Sequence, residues 1–88
     1  MPTISVFLGI SIRMYVKDHL PPHFHAFYGE SEAQIAIATG EVIAGRLPTA
    51  ARRLVKEWTL LNQERLDENW RRRELGLPLE QIDGHSAE

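Results

Sequence analysis

Three of the four histidines of the chain lie within residues 18–25, whose sequence is DHLPPHFH. Neutral imidazole is the commonest protein ligand for transition metals, and it also exchanges protons near neutral pH. His23 and His25 are separated by one residue, so in a strand their rings would point to the same face, about 6 to 7 Å apart. The two prolines before His23 restrict the loop that brings Asp18 and His19 back towards this pair. The sequence therefore predicts one candidate site for chemistry in this segment.

One hypothesis for this site is the binding of a divalent metal ion. His23 and His25, with His19 or Asp18 as the third ligand, offer donors that Zn²⁺, Mn²⁺ or Ni²⁺ accepts, and they leave an open position for water. The chain contains no cysteine, so thiolate zinc sites, cysteine nucleophiles and disulfides are excluded. A metal site would therefore have to be built from imidazole and carboxylate groups.

A second hypothesis is a site that acts on RNA without a metal. One of the two imidazoles, His23 or His25, would take the proton of the 2′-hydroxyl, and the other would protonate the leaving oxygen. Arg13 and Tyr15 are predicted to accompany them on the same face of the sheet. The cationic side chain of Arg13 or Lys17 would then stabilise the charge of the reacting phosphate.

A third hypothesis is that the histidines are structural. His23 and His25 would then be hydrogen-bonded across the sheet or to the backbone of the preceding turn, as buried polar groups usually are. The sequence contains no glycine-rich phosphate loop, nucleophile elbow or DNA-reading motif. Its formal net charge of -2 argues against strong non-specific binding to nucleic acid. These three hypotheses leave open whether the protein is an enzyme.

The spacing of glycine and proline predicts the strands that must position the cluster. In the first half of the chain these residues separate short runs rich in β-branched and aromatic side chains. Connections this short require antiparallel neighbours. The predicted strands are Thr3 to Phe7, Ile10 to Val16, His23 to Tyr28, Ala33 to Ala38 and Glu41 to Ala44.

The alternation of side chains along the third predicted strand decides which face carries the histidines. If Phe24 and Ala26 face the helices, then His23 and His25 lie on the opposite face of the sheet. We therefore expect both imidazoles on the open face, which would also carry the side chains of Arg13, Tyr15, Lys17 and Phe27.

From Pro48 onwards the apolar residues recur every three to four positions, which indicates an amphipathic helix. The apolar stripe then shifts by five residues, so a break is predicted at Asn62, acting as the N-cap of a second helix. Gly76 and Pro78 are predicted to end the helical half. The basic residues of these helices, Arg73 among them, are interleaved with acidic residues and are predicted to form a solvated surface.

The predicted fold class is α+β, with an antiparallel sheet of four to five strands and two C-terminal helices packed on one face. Residues 1–78 are expected to form a single domain, and residues 79–88 an extended, frayed tail. No apolar run approaches the roughly 20 residues that cross a bilayer, and no basic segment precedes an apolar one at the start, so we expect a cytoplasmic protein without a membrane partner. A domain of this size has little stability to spare, which favours a protein partner or a homodimer.

Several short segments of the chain occur together in one known family. They are PTIS at 2–5, GI at 9–10, IRMY at 12–15, DH at 18–19, PPHFH at 21–25, GEVI at 40–43, LP at 47–48, W at 58 and NW at 69–70. In order and spacing they resemble, over nearly the whole chain, the small prokaryotic proteins catalogued as domain of unknown function 4160. Proteins of this family are often found beside another small protein, so the resemblance implies such a partner, as in a toxin and antitoxin pair. It favours partner binding and an RNA-directed role, and it assigns no catalytic residue.

Overall fold

The computed structural model describes residues 3–85 as a five-stranded sheet followed by two helices. The elements are β1 (Thr3–Phe7), β2 (Ile10–Arg13), β3 (His23–Tyr28), β4 (Ser31–Ala36), β5 (Val42–Arg46), α1 (Thr49–Leu61) and α2 (Gln63–Glu74). The predicted α+β fold class is confirmed. Neither helix within the described residues has the length and apolar character needed to cross a membrane.

The strands follow one another across the sheet in chain order, from β1 to β5, and every neighbouring pair is antiparallel. β3 therefore lies in the centre of the sheet, with β2 on one side and β4 on the other. In the register of these strands, His25 lies between Arg13 of β2 and Gln34 of β4. The connection between β2 and β3, residues 14–22, contains the rest of the predicted cluster.

β2 is shorter than predicted. Burial still alternates as far as Met14, but the pairing with β3 ends at Arg13, and Val16 is exposed. The carbonyl of Val16 accepts a hydrogen bond from Nη1 of Arg73 at 2.7 Å, instead of a bond from a neighbouring strand. The chain therefore leaves the sheet three residues before the predicted end at Val16.

The hairpin between β3 and β4 is tighter than predicted. Tyr28 pairs with Ser31 across a turn that contains Gly29, whose φ is 57°. Glycine adopts this left-handed conformation at little cost because it has no Cβ. β4 therefore begins at Ser31, two residues before the predicted Ala33. The earlier start also extends β5 beyond its predicted end at Ala44, because Glu32 pairs with Arg46.

The apolar core lies between α1 and the face of β3 that carries Phe24 and Ala26. Trp58 of α1 is fully buried, and the centroid of its ring lies 5.3 Å from that of Phe7 and 5.7 Å from that of Phe24. Burial of each side chain of this kind stabilises the fold by roughly 1.5–3 kcal/mol. The predicted alternation of β3 is confirmed on this face.

The predicted break between the helices is confirmed at Asn62, although the side chain of Asn62 has a different role. Its amide Nδ2 donates a hydrogen bond to the carbonyl of Trp58 at 2.8 Å, and it makes no capping bond to α2. The side chain thus satisfies a carbonyl at the end of α1, where the helix leaves such groups without partners. The backbone carbonyl of Asn62 accepts the hydrogen bond of the Leu66 amide and so begins α2.

Residues 79–85 belong to no helix or strand and are held against the domain by hydrogen bonds. The amide of Ile82, a buried residue, donates to the carbonyl of Ile4 at 2.8 Å. The indole Nε1 of Trp58 donates to the carbonyl of Asp83, also at 2.8 Å. These bonds fix the segment along β1 and beside the core. The last residues of the expected frayed tail, 86–88, lie outside the described residues.

Candidate metal centre

One oxygen of Asp18 lies close to both imidazoles of the predicted cluster. The distance from Oδ2 of Asp18 to Nε2 of His25 is 3.2 Å, and that to Nε2 of His23 is 3.6 Å. One donor atom from each of the three residues lies within 4.8 Å of the others. The loop between β2 and β3 therefore brings Asp18 to the beginning of β3, where the two histidines meet it.

The environment of His23 determines which nitrogen carries the proton. Its side chain is 0% exposed, and Nδ1 lies 2.8 Å from the carbonyl of Pro21. A carbonyl only accepts, so Nδ1–H is the donor in this bond and Nε2 of the neutral ring carries the lone pair. Nε2 is buried and has no hydrogen-bond partner within residues 3–85. Buried polar atoms in proteins almost always have a hydrogen-bond partner, so the environment of this nitrogen is unusual.

His25 lies between two carboxylates. Its Nδ1 is 3.4 Å from Oε2 of Glu32, and its Nε2 is 3.2 Å from Oδ2 of Asp18. A neutral imidazole can donate to only one of them, so its other nitrogen would direct a lone pair at an acceptor. If Nδ1–H donates to Glu32, then Nε2 is the free electron-pair donor. This arrangement of carboxylate, imidazole and ligand position is the one that orients histidine ligands in metal sites.

One carboxylate oxygen and two imidazole nitrogens therefore converge in a space from which water is largely excluded. The side chains of Asp18 and His25 are 14% and 10% exposed. A Zn²⁺ ion held by imidazole nitrogen and carboxylate oxygen has ligands at about 2.0–2.1 Å, which places neighbouring tetrahedral ligands about 3.3 Å apart. The separations from Asp18 to the two imidazoles, 3.2 and 3.6 Å, are close to this value. A cation at this point would satisfy all three groups.

The expectation that both imidazoles lie on an open face of the sheet is wrong, because His25 is only 8% exposed and α2 covers the fully buried ring of His23. The centroid of Trp70 lies 5.6 Å from that of His23. Arg73 was expected on a solvated surface, but it is 8% exposed, with Cζ 3.4 Å from the centroid of Trp70. Its Nη1 also donates to the carbonyl of Val16, in the loop that carries Asp18. Arg73 thus contacts Trp70, which lies beside His23, and also the loop that carries Asp18.

The remaining residues predicted for the site lie beside the three donors. His19 is exposed, its Nδ1 donates to the carbonyl of Leu20 at 3.1 Å, and its ring centroid is 5.3 Å from that of His23. Tyr15 contacts the ring of His25 edge-on, at 4.7 Å between centroids. Arg13 is the cross-strand neighbour of His25. His19 is therefore adjacent to Asp18, His23 and His25 but is not one of the three residues whose donor atoms converge.

The contributions of Trp70, Arg73 and Glu32 were not predicted from the sequence. Leu66, Trp70 and Arg73 are spaced four and three residues apart, so they share one face of α2, and this spacing could have indicated that Arg73 is buried. No comparable spacing in the sequence indicates that Glu32 lies close to His25. Its approach to His25 depends on the register between β3 and β4, which the sequence pattern leaves undetermined.

Comparisons with known proteins identify the family of the chain. No curated protein and no solved structure matches it. The family model described as domain of unknown function (DUF4160) matches residues 9–71, which include the loop, the candidate site and most of both helices. This match covers well over half of the 88 residues. The chain therefore belongs to the DUF4160 family.

Proposed function

We propose that this protein binds one first-row divalent metal ion through Asp18, His23 and His25. The observation that carries the proposal is the state of Nε2 of His23, which is buried, has no hydrogen-bond partner among the described residues and lies 3.6 Å from Oδ2 of Asp18. Leaving such a group unpaired costs about 1–3 kcal/mol. A metal ion would remove this cost, since its positive charge binds the lone pair directly.

The donor set favours Zn²⁺ among the ions expected from the sequence, with Ni²⁺ and Mn²⁺ as further candidates. Imidazole nitrogen suits Zn²⁺ and Ni²⁺ better than Mn²⁺, which prefers oxygen ligands. Two histidines and one carboxylate are also the protein ligands of catalytic zinc sites, which keep one coordination position for water or substrate. A bound ion would supply Lewis acidity at that position.

The RNA-directed and purely structural hypotheses have less support from the geometry. His23 is covered by Trp70 and is 0% exposed, which is unfavourable for contact with a ribose hydroxyl of a polynucleotide. A structural role is supported by the bond from Nδ1 to Pro21 but leaves Nε2 unexplained. Cytoplasmic localisation, a small protein partner and a place in a toxin–antitoxin-like module remain proposals that rest on the sequence and on the family resemblance.

The metal content and metal affinity of the untagged protein test this proposal. We expect elemental analysis to find a divalent ion near one equivalent, and calorimetric titration of the stripped protein with Zn²⁺ to give one site. At a free ion concentration of 100 times Kd, the stabilisation is about 2.7 kcal/mol. For a domain of this size that raises Tm by roughly 10–20 °C.

Matched histidine variants separate the proposed site from adventitious binding. His25→Ala should abolish the tight site, whereas His85→Gln removes an imidazole that pairs with Glu57 elsewhere on the protein and should leave the affinity unchanged. His19→Gln tests whether the exposed neighbouring ring contributes. Equal affinities of the wild type and His25→Ala, or no shift of Tm with any of the three ions, would refute the proposal.

A further inference from the structure

We infer that the metal site takes an organic or inorganic oxyanion as its external ligand, and that Arg13 is the residue that recognises it. This inference rests on the proposed function, because the ion would supply one of the two positive groups. The anion would occupy the open coordination position with one oxygen and would reach the guanidinium of Arg13 with another part of the molecule.

No carboxylate within the described residues pairs with the guanidinium of Arg13. Its Cζ lies 4.5 Å from the centroid of Phe27, so the cation is held over an aromatic face. Its Nε is buried without a hydrogen-bond partner, and the guanidinium forms no ion pair within residues 3–85. A half-buried guanidinium usually pairs with a carboxylate or a phosphate, because its planar array of donors matches these groups.

Arg13 also lies close to the proposed metal site. Arg13 and His25 are directly opposite each other in the β2–β3 ladder. Side chains in this relation have Cβ atoms about 4.5–5.5 Å apart and share one face of the sheet. Tyr15 contacts His25 on that face as well. A ligand of a few atoms could therefore contact both the ion and the guanidinium.

The charges around the proposed site favour an anion once a divalent ion is bound. The carboxylates closest to His25 are those of Asp18 and Glu32. The guanidinium of Arg73, held over Trp70 beside His23, adds a second positive charge to that of Arg13, so without an ion the positive and negative charges balance. With a divalent ion bound, the positive charges exceed the negative ones by two. The site therefore attracts an anion more strongly when it is loaded with metal.

Cobalt-loaded protein provides a direct test, because the visible absorption of Co²⁺ reports changes in its coordination. The probes are inorganic phosphate and succinate, which distinguish a phosphate from a carboxylate ligand. We expect at least one of them to change the spectrum of the wild type at a saturable concentration. Arg13→Gln should bind Co²⁺ within about threefold of the wild type but bind the anion roughly 10- to 100-fold more weakly, since it loses a charge-assisted pair.

Arg53→Gln is the matched control, because it removes one exposed arginine from α1 without touching the sheet face. It should retain wild-type anion affinity. If Arg13→Gln does not fold, Arg13→Lys serves instead, and it should weaken anion binding by losing the planar donor array. The inference is overturned if neither probe changes the spectrum of Co²⁺-loaded wild type, or if the Arg13 variants bind the anion as tightly. Failure of the wild type to bind Co²⁺ would instead refute the proposed function itself.

Discussion

The two faces of β3 are both buried, but they are buried for different physical reasons. On one face, Phe24 and Ala26 pack into an apolar core, and each contact removes apolar surface from water. On the other face, His23 and His25 meet one carboxylate and the ring of Trp70. Within residues 3–85 this burial leaves Nε2 of His23 without a hydrogen-bond partner, 3.6 Å from Oδ2 of Asp18, which is unfavourable in the absence of a cation. The first face therefore accounts for stability, and the second is the face to which we assign the proposed metal ion.

The largest expected effect comes from removing an aromatic ring from the apolar face. Phe24→Ala should lower the free energy of unfolding by about 3–5 kcal/mol, because it removes a fully buried side chain beside Trp58 and leaves a cavity. Phe27→Ala makes the same chemical change in the same strand at a half-buried position on the other face. Its effect should be less than half as large when both are measured by urea denaturation. Equal losses would show that the two faces contribute equally to stability.

A smaller loss is expected from adding a single methyl group beside the same core. A Cβ on residue 84 would lie 2.6 Å from Cβ of Phe7, closer than the two carbons can approach. Gly84→Ala should therefore displace the C-terminal segment and cost about 1–3 kcal/mol, the usual range for overpacking. Displacement also withdraws the Asp83 carbonyl from the indole of Trp58, so tryptophan fluorescence should change. An unchanged spectrum and unchanged stability would show that residues 79–85 are not held against the core.

His23→Phe tests the polar face directly. In the metal-free protein this variant should change the free energy of unfolding by less than about 1.5 kcal/mol in either direction. It loses the hydrogen bond to Pro21, but it also removes the unpaired Nε2 from the interior. The stabilisation of the wild type by Zn²⁺ should disappear completely. Thermal denaturation with and without Zn²⁺ measures both effects.

Two outcomes of this experiment would contradict the comparison of the faces. A loss as large as that of Phe24→Ala, without metal, would mean that His23 contributes to folding as a core residue does. Full retention of the Zn²⁺ effect would mean that the ion binds elsewhere. The first outcome concerns the structural hypothesis and the second concerns the metal site, so the two results are distinguishable.

The elements that contain the apolar face could be predicted from the sequence because their signals are local. β1 and β3 were predicted with their observed bounds, and the break at Asn62 followed from the shift of the apolar stripe. The alternation within β3 also separated Phe24 from the histidines. Each of these inferences uses the spacing of residues within one element, which the chain fixes by itself.

The polar face could be predicted only in part, because it depends on contacts between distant elements. The sequence grouped Asp18, His23 and His25, but it could not choose between Asp18 and His19 as the third donor. That choice depends on how the loop is turned, and Arg73 fixes the loop through a bond that spans 57 positions. The covering of His23 by Trp70 depends equally on where α2 lies. Local patterns carry no information on such contacts.

The smallest expected effect lies outside both faces, in the ion pair between Glu41 and Lys56. The hydrogen bond and the charge of Lys56, with a smaller contribution from Arg52, hold the pKa of Glu41 below its usual range. A carboxyl group with a lowered pKa in the folded state adds stability above its unfolded pKa and loses it as the pH falls through the folded pKa. Glu41→Gln should therefore flatten the decrease of Tm below about pH 5.

Because Glu41 is fully exposed, water screens the pair and the difference in Tm at neutral pH should be slight. Zn²⁺ affinity should be unchanged, since neither Glu41 nor Lys56 is among the three donors. Parallel acid profiles of Tm for the wild type and Glu41→Gln would show that Lys56 does not lower the pKa of Glu41. A change in Zn²⁺ affinity would show that a surface charge outside both faces of β3 influences the metal site, and would weaken the contrast between them.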